Sequence, residues 1–303
     1  MAQSSLPHGG RYRLHIGRPA LGRRRKPEAV VKLEDYLSRA RGRLPQQAAA
    51  TPELDVTVLL EYITGKPREW LYARADEPLE QILDRSTQER FQALLKQRAA
   101  GVPVAYLTGE KAFYGLTFQV TSKVMIPRPE SEALVAYTLE TAPDNARVLD
   151  MGTGSGAMAV ALKSNRADLD ITASDISPQA LQTARSNGQR HETDIRFVSS
   201  DLFDNIDGSF DVIVANLPYL KPPIASSAEA EQEPSLALDG GGRDGLDIYR
   251  GFLGQAADYI TSFGLLVIEA EPWQHPQLIA AGQQSGFRLH QQGQFMLALE
   301  LDI

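Results

Sequence analysis

The sequence predicts an α/β fold: a doubly wound parallel sheet with a small helical bundle in front of it. Three observations carry that expectation. The stretch up to about residue 100 shows helical patterning with no strand signal, a strand–helix alternation begins at Pro129, and an apolar strand runs into a glycine-rich turn at Asp150–Gly156. With 303 residues and 43% hydrophobic side chains, the chain has room for two domains.

Residues 1–27 form a basic extension and 28–102 a helical bundle. Thr51-Pro52 reads as an N-cap followed by proline at the first helical position, and Leu54, Val58, Leu59, Tyr62 and Ile63 recur at helical period. Ser86-Thr87-Gln88-Glu89 reads as a capping box ahead of Phe91, Leu94 and Leu95. Gly42, Gly65-Lys66-Pro67 and Gly101-Val102-Pro103 separate the helices. At Pro103 the texture changes. Val104-Ala105-Tyr106-Leu107 and Phe113–Val120 alternate about Gly109, which predicts a β-hairpin linker over 103–126. Residues 127–303 form the α/β domain, with strands expected at Arg147–Met151, Ile171–Ser174, Ile195–Val198, Asp211–Ala215, Leu265–Glu269 and Phe295–Leu301. Helices lie between most of them, one opening at Ser177-Pro178. Only the turn-rich Gln291-Gln292-Gly293 precedes the last strand, so that strand is expected to run antiparallel.

Composition removes several function classes. Cysteine is absent, which excludes disulfides and thiolate metal sites, and His8, His15, His191, His275 and His290 are scattered without ligand spacing, so no metal is expected. No apolar run reaches the length of a membrane span. Residues 1–27 carry seven basic side chains and no acid, so the 276 residues that follow carry −14 against −7 for the whole chain. An acidic body argues against stable binding to nucleic-acid phosphates. The basic N-terminus has no apolar core and is not a secretory signal. It reads as a disordered extension or mis-assigned start, with a transit peptide and an RNA-touching arm as the alternatives.

Two motifs carry the chemistry. Gly152, Thr153, Gly154, Ser155 and Gly156 follow the strand ending at Asp150-Met151, where ligands of doubly wound sheets bind. Asp150 opens the motif, and a carboxylate there suits a cationic or zwitterionic methionyl end better than a pyrophosphate. Asp175 ends the second strand, placed to accept hydrogen bonds from two ribose hydroxyls, with Ile176 flanking a base. Asp201 and Leu202 follow the third, placed for an adenine amino group and ring. Together these residues point to S-adenosyl-L-methionine as co-substrate.

The second motif is Asn216-Leu217-Pro218-Tyr219, after the apolar run Val212-Ile213-Val214-Ala215. An amide nitrogen is a poor nucleophile because its lone pair is delocalised. Acceptors for both its protons, here the Asn216 side-chain oxygen and the Leu217 carbonyl, favour a more pyramidal and more nucleophilic nitrogen. Pro218 fixes the turn without adding a donor, and Tyr219 offers a face to a planar group. Positioning and electrostatics would supply the rate, with no covalent intermediate and no dedicated base.

Four blocks give the chain a family resemblance. Pro103–Glu110 through Phe113–Leu116, Ile126-Pro127-Arg128-Pro129-Glu130, the Gly152–Gly156 turn with Asn216–Tyr219, and the run from Glu233-Pro234 through Gly240-Gly241 and Asp244-Gly245-Leu246 to Tyr249-Arg250 resemble the release-factor glutamine N5-methyltransferases, the HemK or PrmC family. The resemblance implies a Rossmann-like methyltransferase sheet and a substrate, the glutamine of the Gly-Gly-Gln motif of peptide chain release factors. It implies that the bundle helps dock the release factor, and a cytoplasmic monomer is expected. Leu217 stands where the family usually has proline, and Leu202 where an aromatic is common. Residues 1–27 fall outside the resemblance. Rival readings are a methyltransferase acting on a nucleic-acid base amino group or a ribosomal-protein glutamine, and a non-catalytic binding module.

Overall fold

The computed structural model describes Met1 and residues 30–45, 49–221 and 228–302; apart from Met1, the expectations for residues 1–27 lie outside them. Helices α1 (Leu33–Arg41), α2 (Pro52–Thr64), α3 (Arg68–Tyr72), α4 (Leu79–Ile82) and α5 (Arg85–Ala99) pack around Leu33, Leu37, Leu59, Leu60, Leu71 and Phe91. Pro52 does open α2. The capping box does not open α5: Asp84 is the N-cap, its side chain accepting from the Thr87 amide at 2.7 Å, so the cap lies two residues before the expected Ser86. Aspartate at that position satisfies a free amide as well as serine would.

Val104–Thr108 is a short helix, α6, and not the first strand of the hairpin. Its Val-Ala-Tyr-Leu pattern is too short to separate the two periods, and Pro103 before it favours a helix start. The hairpin is β1 (Glu110–Phe113) with β2 (Leu116–Gln119), joined by Tyr114 and Gly115, both at positive φ, as a two-residue turn matching strand twist requires.

The main sheet comprises β3 (Arg147–Met151), β4 (Asp170–Asp175), β5 (Arg196–Ser199), β6 (Phe210–Ala215), β7 (Ile260–Glu269), β8 (Phe287–Gln292) and β9 (Met296–Leu301), in the order β5-β4-β3-β6-β7-β9-β8. The first five are parallel, and β9 runs antiparallel to both neighbours. Strand β8 was not expected. Only Phe287 is buried in it, so it lacks apolar alternation, and its polar edge is capped by Arg288 pairing Glu300 at 2.7 Å.

Alternate residues of the central strands feed two cores. Val148, Val212, Val214 and Val267 pack with α7 (Glu132–Thr141) and α8 (Ala157–Asn165) on one face. Leu149, Ile213, Ala215 and Ile268 pack with α10 (Asp247–Ala256) and α11 (His275–Gln284) on the other; α9 (Pro178–Arg190) lies beside α8. Both faces being covered, these strands read as unbroken apolar runs. Among the described residues no helix is long and apolar enough to cross a membrane.

The bundle is tied to the α/β domain through Arg98, which is 2% exposed. Its Nε donates to Asp55 at 2.7 Å, and Nη2 donates to Glu229, which lies 131 residues further on. Removing one partner of a buried ion pair strands the other charge. Arg98→Ala is therefore expected to lower unfolding free energy by roughly 3 kcal/mol, read from urea titration followed by Trp70 fluorescence. A loss below about 1 kcal/mol would show that the pair does not hold the bundle.

Candidate active site

The chain lays down β3, steps outward through β4 and β5, then returns to place β6 on the other side of β3. That reversal opens a crevice at the carboxyl ends of β3 and β6. Met151 is in register with Ala215, so the residues that follow, Gly152 and Asn216, leave the sheet side by side. Gly152 has φ +74°, and a Cβ built on it would lie 2.9 Å from Leu217 Cδ2. The glycine turn and the Asn216–Tyr219 segment are thus in direct contact. Gly154, at φ +57°, faces open space, whereas Gly156 packs against Ala184 of α9. The turn is pinned by Gly152 and Thr153 amides donating to the Ser174 carbonyl, both at 2.9 Å.

The open space is a cavity of about 280 Å³. Gly152, Thr153, Gly154, Ser155, Asp175, Ile176, Asp201, Leu202, Asn216, Leu217 and Pro218 line it, so residues expected from the ends of β3, β4, β5 and β6 meet at one place. Gly156 and Tyr219 are not on its wall. Asp175 Oδ2 accepts from the Gly154 amide at 2.9 Å and Oδ1 from the Ser177 amide at 2.8 Å. Burial pushes its carboxyl above the usual range, against those backbone donors. Asp201 is exposed, and Leu202 holds a left-handed φ of +42° with its carbonyl accepting from Ser200 Oγ at 2.8 Å.

Asp150 departs from its expected role. It is fully buried beneath the turn, off the cavity wall, where Oδ2 accepts from Thr153 Oγ1 at 2.6 Å and the Ala159 amide at 3.2 Å. It braces the glycine turn, because side chains alternate in direction at a strand end. Oδ1 has no hydrogen-bond partner. Burial pushes the carboxyl up to about 7, opposed by the Thr153 hydroxyl and Ala159 amide.

On the Asn216 side the structure supplies partners that motif reading missed. Asn216 Nδ2 donates to Ser131 Oγ at 2.9 Å, and Ser131 Oγ donates to Glu269 Oε2 at 2.6 Å. The Tyr219 hydroxyl donates to Glu269 Oε1 at 3.0 Å, and burial beside that carboxylate raises the phenol pKa far above its ordinary value. Tyr219 therefore buttresses the site from behind instead of forming a cavity wall. Among the described residues, no donor reaches Asn216 Oδ1 or the Leu217 carbonyl. Glu269 could have been found from sequence: it is the acid that closes the apolar strand Leu265–Ile268, and Ala215 pairs with Ile268. Ser131 carries no such signal, being one serine at a helix start.

The segment after residue 228 roofs the cavity with Pro234, Leu236 and Ala237. Glu233, buried, accepts from the Ile126 amide at 3.0 Å and pairs with Arg128, locking this segment to the Ile126–Glu130 entry segment. Asp150, Asp175 and Glu269 all have carboxyls raised by burial, and among the described residues none has a basic partner. Of the three, only Asp175 lines the cavity, where its oxygens offer hydrogen-bond acceptors to a ligand.

Comparisons with known proteins agree on both halves. Residues 35–109 match the family model described as PrmC N-terminal domain, and residues 130–233 match Methyltransferase small domain. A release factor glutamine methyltransferase of Deinococcus radiodurans is 36% identical over 264 residues, covering 85% of this chain and 92% of that one. One from Geobacter sulfurreducens is 34% identical over 266 residues, covering 86% and 92%. Among solved structures, the T. thermophilus 16S rRNA N2 G1207 methyltransferase, in complex with AdoMet and guanosine, superposes with a TM-score of 0.50 at 15% identity. That match covers 64% of this chain and 50% of the other and is a likeness of fold.

The state of Asp150 makes a testable statement about pH. Its folded pKa, about 7, lies above the ordinary 3.8, so the folded state holds this proton more tightly between those values. The contribution to stability is fully present below the lower value and lost as pH rises through the upper one. Asp150→Asn removes that dependence. The variant's stability relative to wild type should climb between pH 4 and 7, by up to about 1.4 kcal/mol per pH unit, measured by urea unfolding at each pH. A constant difference would show that Asp150 is ionised throughout.

Proposed function

The chain belongs to the release factor glutamine methyltransferases, and we propose that it methylates the side-chain amide nitrogen (N5) of the glutamine in the Gly-Gly-Gln motif of a peptide chain release factor, with S-adenosyl-L-methionine as methyl donor. The observation that carries the reading is a single cavity shared by the glycine turn and by Asn216 and Leu217, whose acceptor oxygens are uncommitted.

The residues present suit the donor. The open face of Gly154 is where any side chain would intrude on a ligand, and Asp175 on the cavity wall offers that ligand acceptor oxygens. Asp175 would hold the ribose hydroxyls, with Ile176, Asp201 and Leu202 around the base. When bound, the donor supplies an electrophilic methyl group on a sulfonium. Asn216 Oδ1 and the Leu217 carbonyl accept the two N–H bonds of the substrate carboxamide, fixing its nitrogen and favouring a more pyramidal geometry. Pro218 keeps that carbonyl turned toward the cavity and brings no N–H to compete with it. The extra proton on the product nitrogen leaves to a carbonyl or solvent, so no titrating base is needed. Glycines flanking the target glutamine suit entry under the roof formed by Pro234, Leu236 and Ala237. The relatives favour this substrate over a nucleic-acid base, as does the acidic body. The same reading has the enzyme act as a cytoplasmic monomer, without stable nucleic-acid binding, and has the helical bundle contribute to release-factor docking.

Mass spectrometry of a release factor co-expressed with this chain should find one added methyl on its Gly-Gly-Gln peptide; an unmodified peptide overturns the reading. Asn216→Ala should lower the transfer rate by about 100-fold or more while the donor Kd stays within about threefold. Asp175→Ala should instead weaken donor binding about tenfold, the scale of a lost charged hydrogen bond, by calorimetry. Equal loss of both properties in Asn216→Ala would refute a role confined to the acceptor.

A further inference from the structure

We propose that Ser131 and Glu269 are positioning residues that fix which way the Asn216 amide faces, and with it the ability of the site to receive a carboxamide. The inference rests on the reading above for its substrate, but its geometry stands on the protein alone.

A primary amide can turn either end to a ligand. With Oδ1 toward the cavity, Asn216 accepts from a substrate NH₂; with Nδ2 toward it, two donors face each other and the substrate is repelled. Nothing within the asparagine chooses between these states. The choice is made by its neighbours: Ser131, and the Glu269 carboxylate, which also draws the Asn216 amide N–H toward itself. Glu269 ends β7 immediately beside Asn216, because Ala215 pairs with Ile268. Both Glu269 oxygens receive hydroxyls, Ser131 at 2.6 Å on Oε2 and Tyr219 on Oε1, which suits the acceptor-only carboxylate form and makes Ser131 the donor. Ser131 then has no proton left, and toward Asn216 it can only accept. That requirement turns Nδ2 to Ser131, 2.9 Å away, and leaves Oδ1 to the cavity. The second carboxylate oxygen receives the Tyr219 hydroxyl at 3.0 Å. One carboxylate thus orders both ends of the Asn216–Tyr219 segment, with every donor pointing the same way.

The setting argues that the arrangement is more than packing. Glu269 is 1% exposed with no basic partner among the described residues. An acid buried this way is costly, and an apolar residue would serve a core better. Ser131, although buried, reaches the cavity wall, so its hydroxyl is within the site and not behind it.

Ser131→Ala removes the polarity with little change in volume. It should lower kcat for release-factor methylation at least about tenfold, with donor Kd and thermal midpoint near wild type. Ser131→Thr, which keeps the hydroxyl, should recover most of the rate. Glu269→Gln permits either donor direction and should lie between wild type and Ser131→Ala; should it fail to fold, the serine pair still decides. In ¹⁵N-labelled protein without substrate, the Asn216 side-chain NH₂ should exchange slowly in wild type and fast in Ser131→Ala. Wild-type kcat in Ser131→Ala, or unchanged Asn216 exchange, would overturn the inference. If wild type itself leaves release factor unmethylated, the substrate reading falls, and the exchange measurement still tests the positioning.

Discussion

The parallel pairing of β3 with β6, Met151 against Ala215, is the constraint from which the rest of the site follows. Two strands that are 64 residues apart in sequence end at the same level, so the turn leaving one touches the segment leaving the other. The contact between Gly152 and Leu217 is the local expression of that pairing. A slip of one residue would carry every side chain of β6 to the opposite face. Val212 and Ile213 would exchange cores, and the amide of Asn216 would leave the cavity. Both faces of β6 are buried under helices, so a slipped side chain would still be covered, and it is the close fit of each residue to its own core that penalises the slip.

What surrounds this pairing limits how far the acceptor side can move. Leu217 packs its side chain toward Gly152, while Pro218 and the Tyr219 carbonyl, which accepts from Gln274 Nε2 at 2.8 Å, hold the chain on its far side. Tyr249 donates to the Glu269 carbonyl at 2.6 Å and its oxygen accepts from the Leu217 amide at 3.3 Å, bridging β7 to the turn. Leucine in place of the proline usual in the family therefore keeps a fixed backbone through tertiary contacts, where a ring would have fixed φ intrinsically. The roof depends on charge. Glu233 binds it to the entry segment, and Glu229 binds its beginning to Arg98 in the bundle, so bundle, entry segment and roof form one connected frame.

Legibility in the sequence tracked burial. Strands covered on both faces announce themselves as apolar runs, so Arg147–Met151 was found to the residue and Phe210–Ala215 missed by one. Strand β8, exposed along most of its length, had no pattern to read. Val104–Thr108 failed for a different reason: five residues between proline and glycine fit either period, and neighbouring helices decide. Residues lining the cavity from strand ends were legible because turns of glycine and the Asn-x-Pro-Tyr segment restrict backbone chemistry. Asp150 was assigned the wrong side of its turn, since sequence gives spacing and not direction. Ser131 was invisible, because its importance arises from a contact across 138 residues with Glu269.

The unpaired acids at the strand ends raise an energetic question that packing does not answer. Asp150, Asp175 and Glu269 end three strands of one sheet, and a carboxylate removed from water without a cation costs several kcal/mol in typical proteins. Hydrogen bonds recover part of that cost: Thr153 and Ala159 for Asp150, Gly154 and Ser177 for Asp175, Ser131 and Tyr219 for Glu269. Replacing the acids with amides would relieve the cost but, at Glu269, would also remove the one-way order of donors. A fold optimised for stability alone would lose these carboxylates. Buried acids clustered at the carboxyl ends of β3, β4 and β7, against the cost of burying them, are the pattern of a functional site beside an amide of fixed direction.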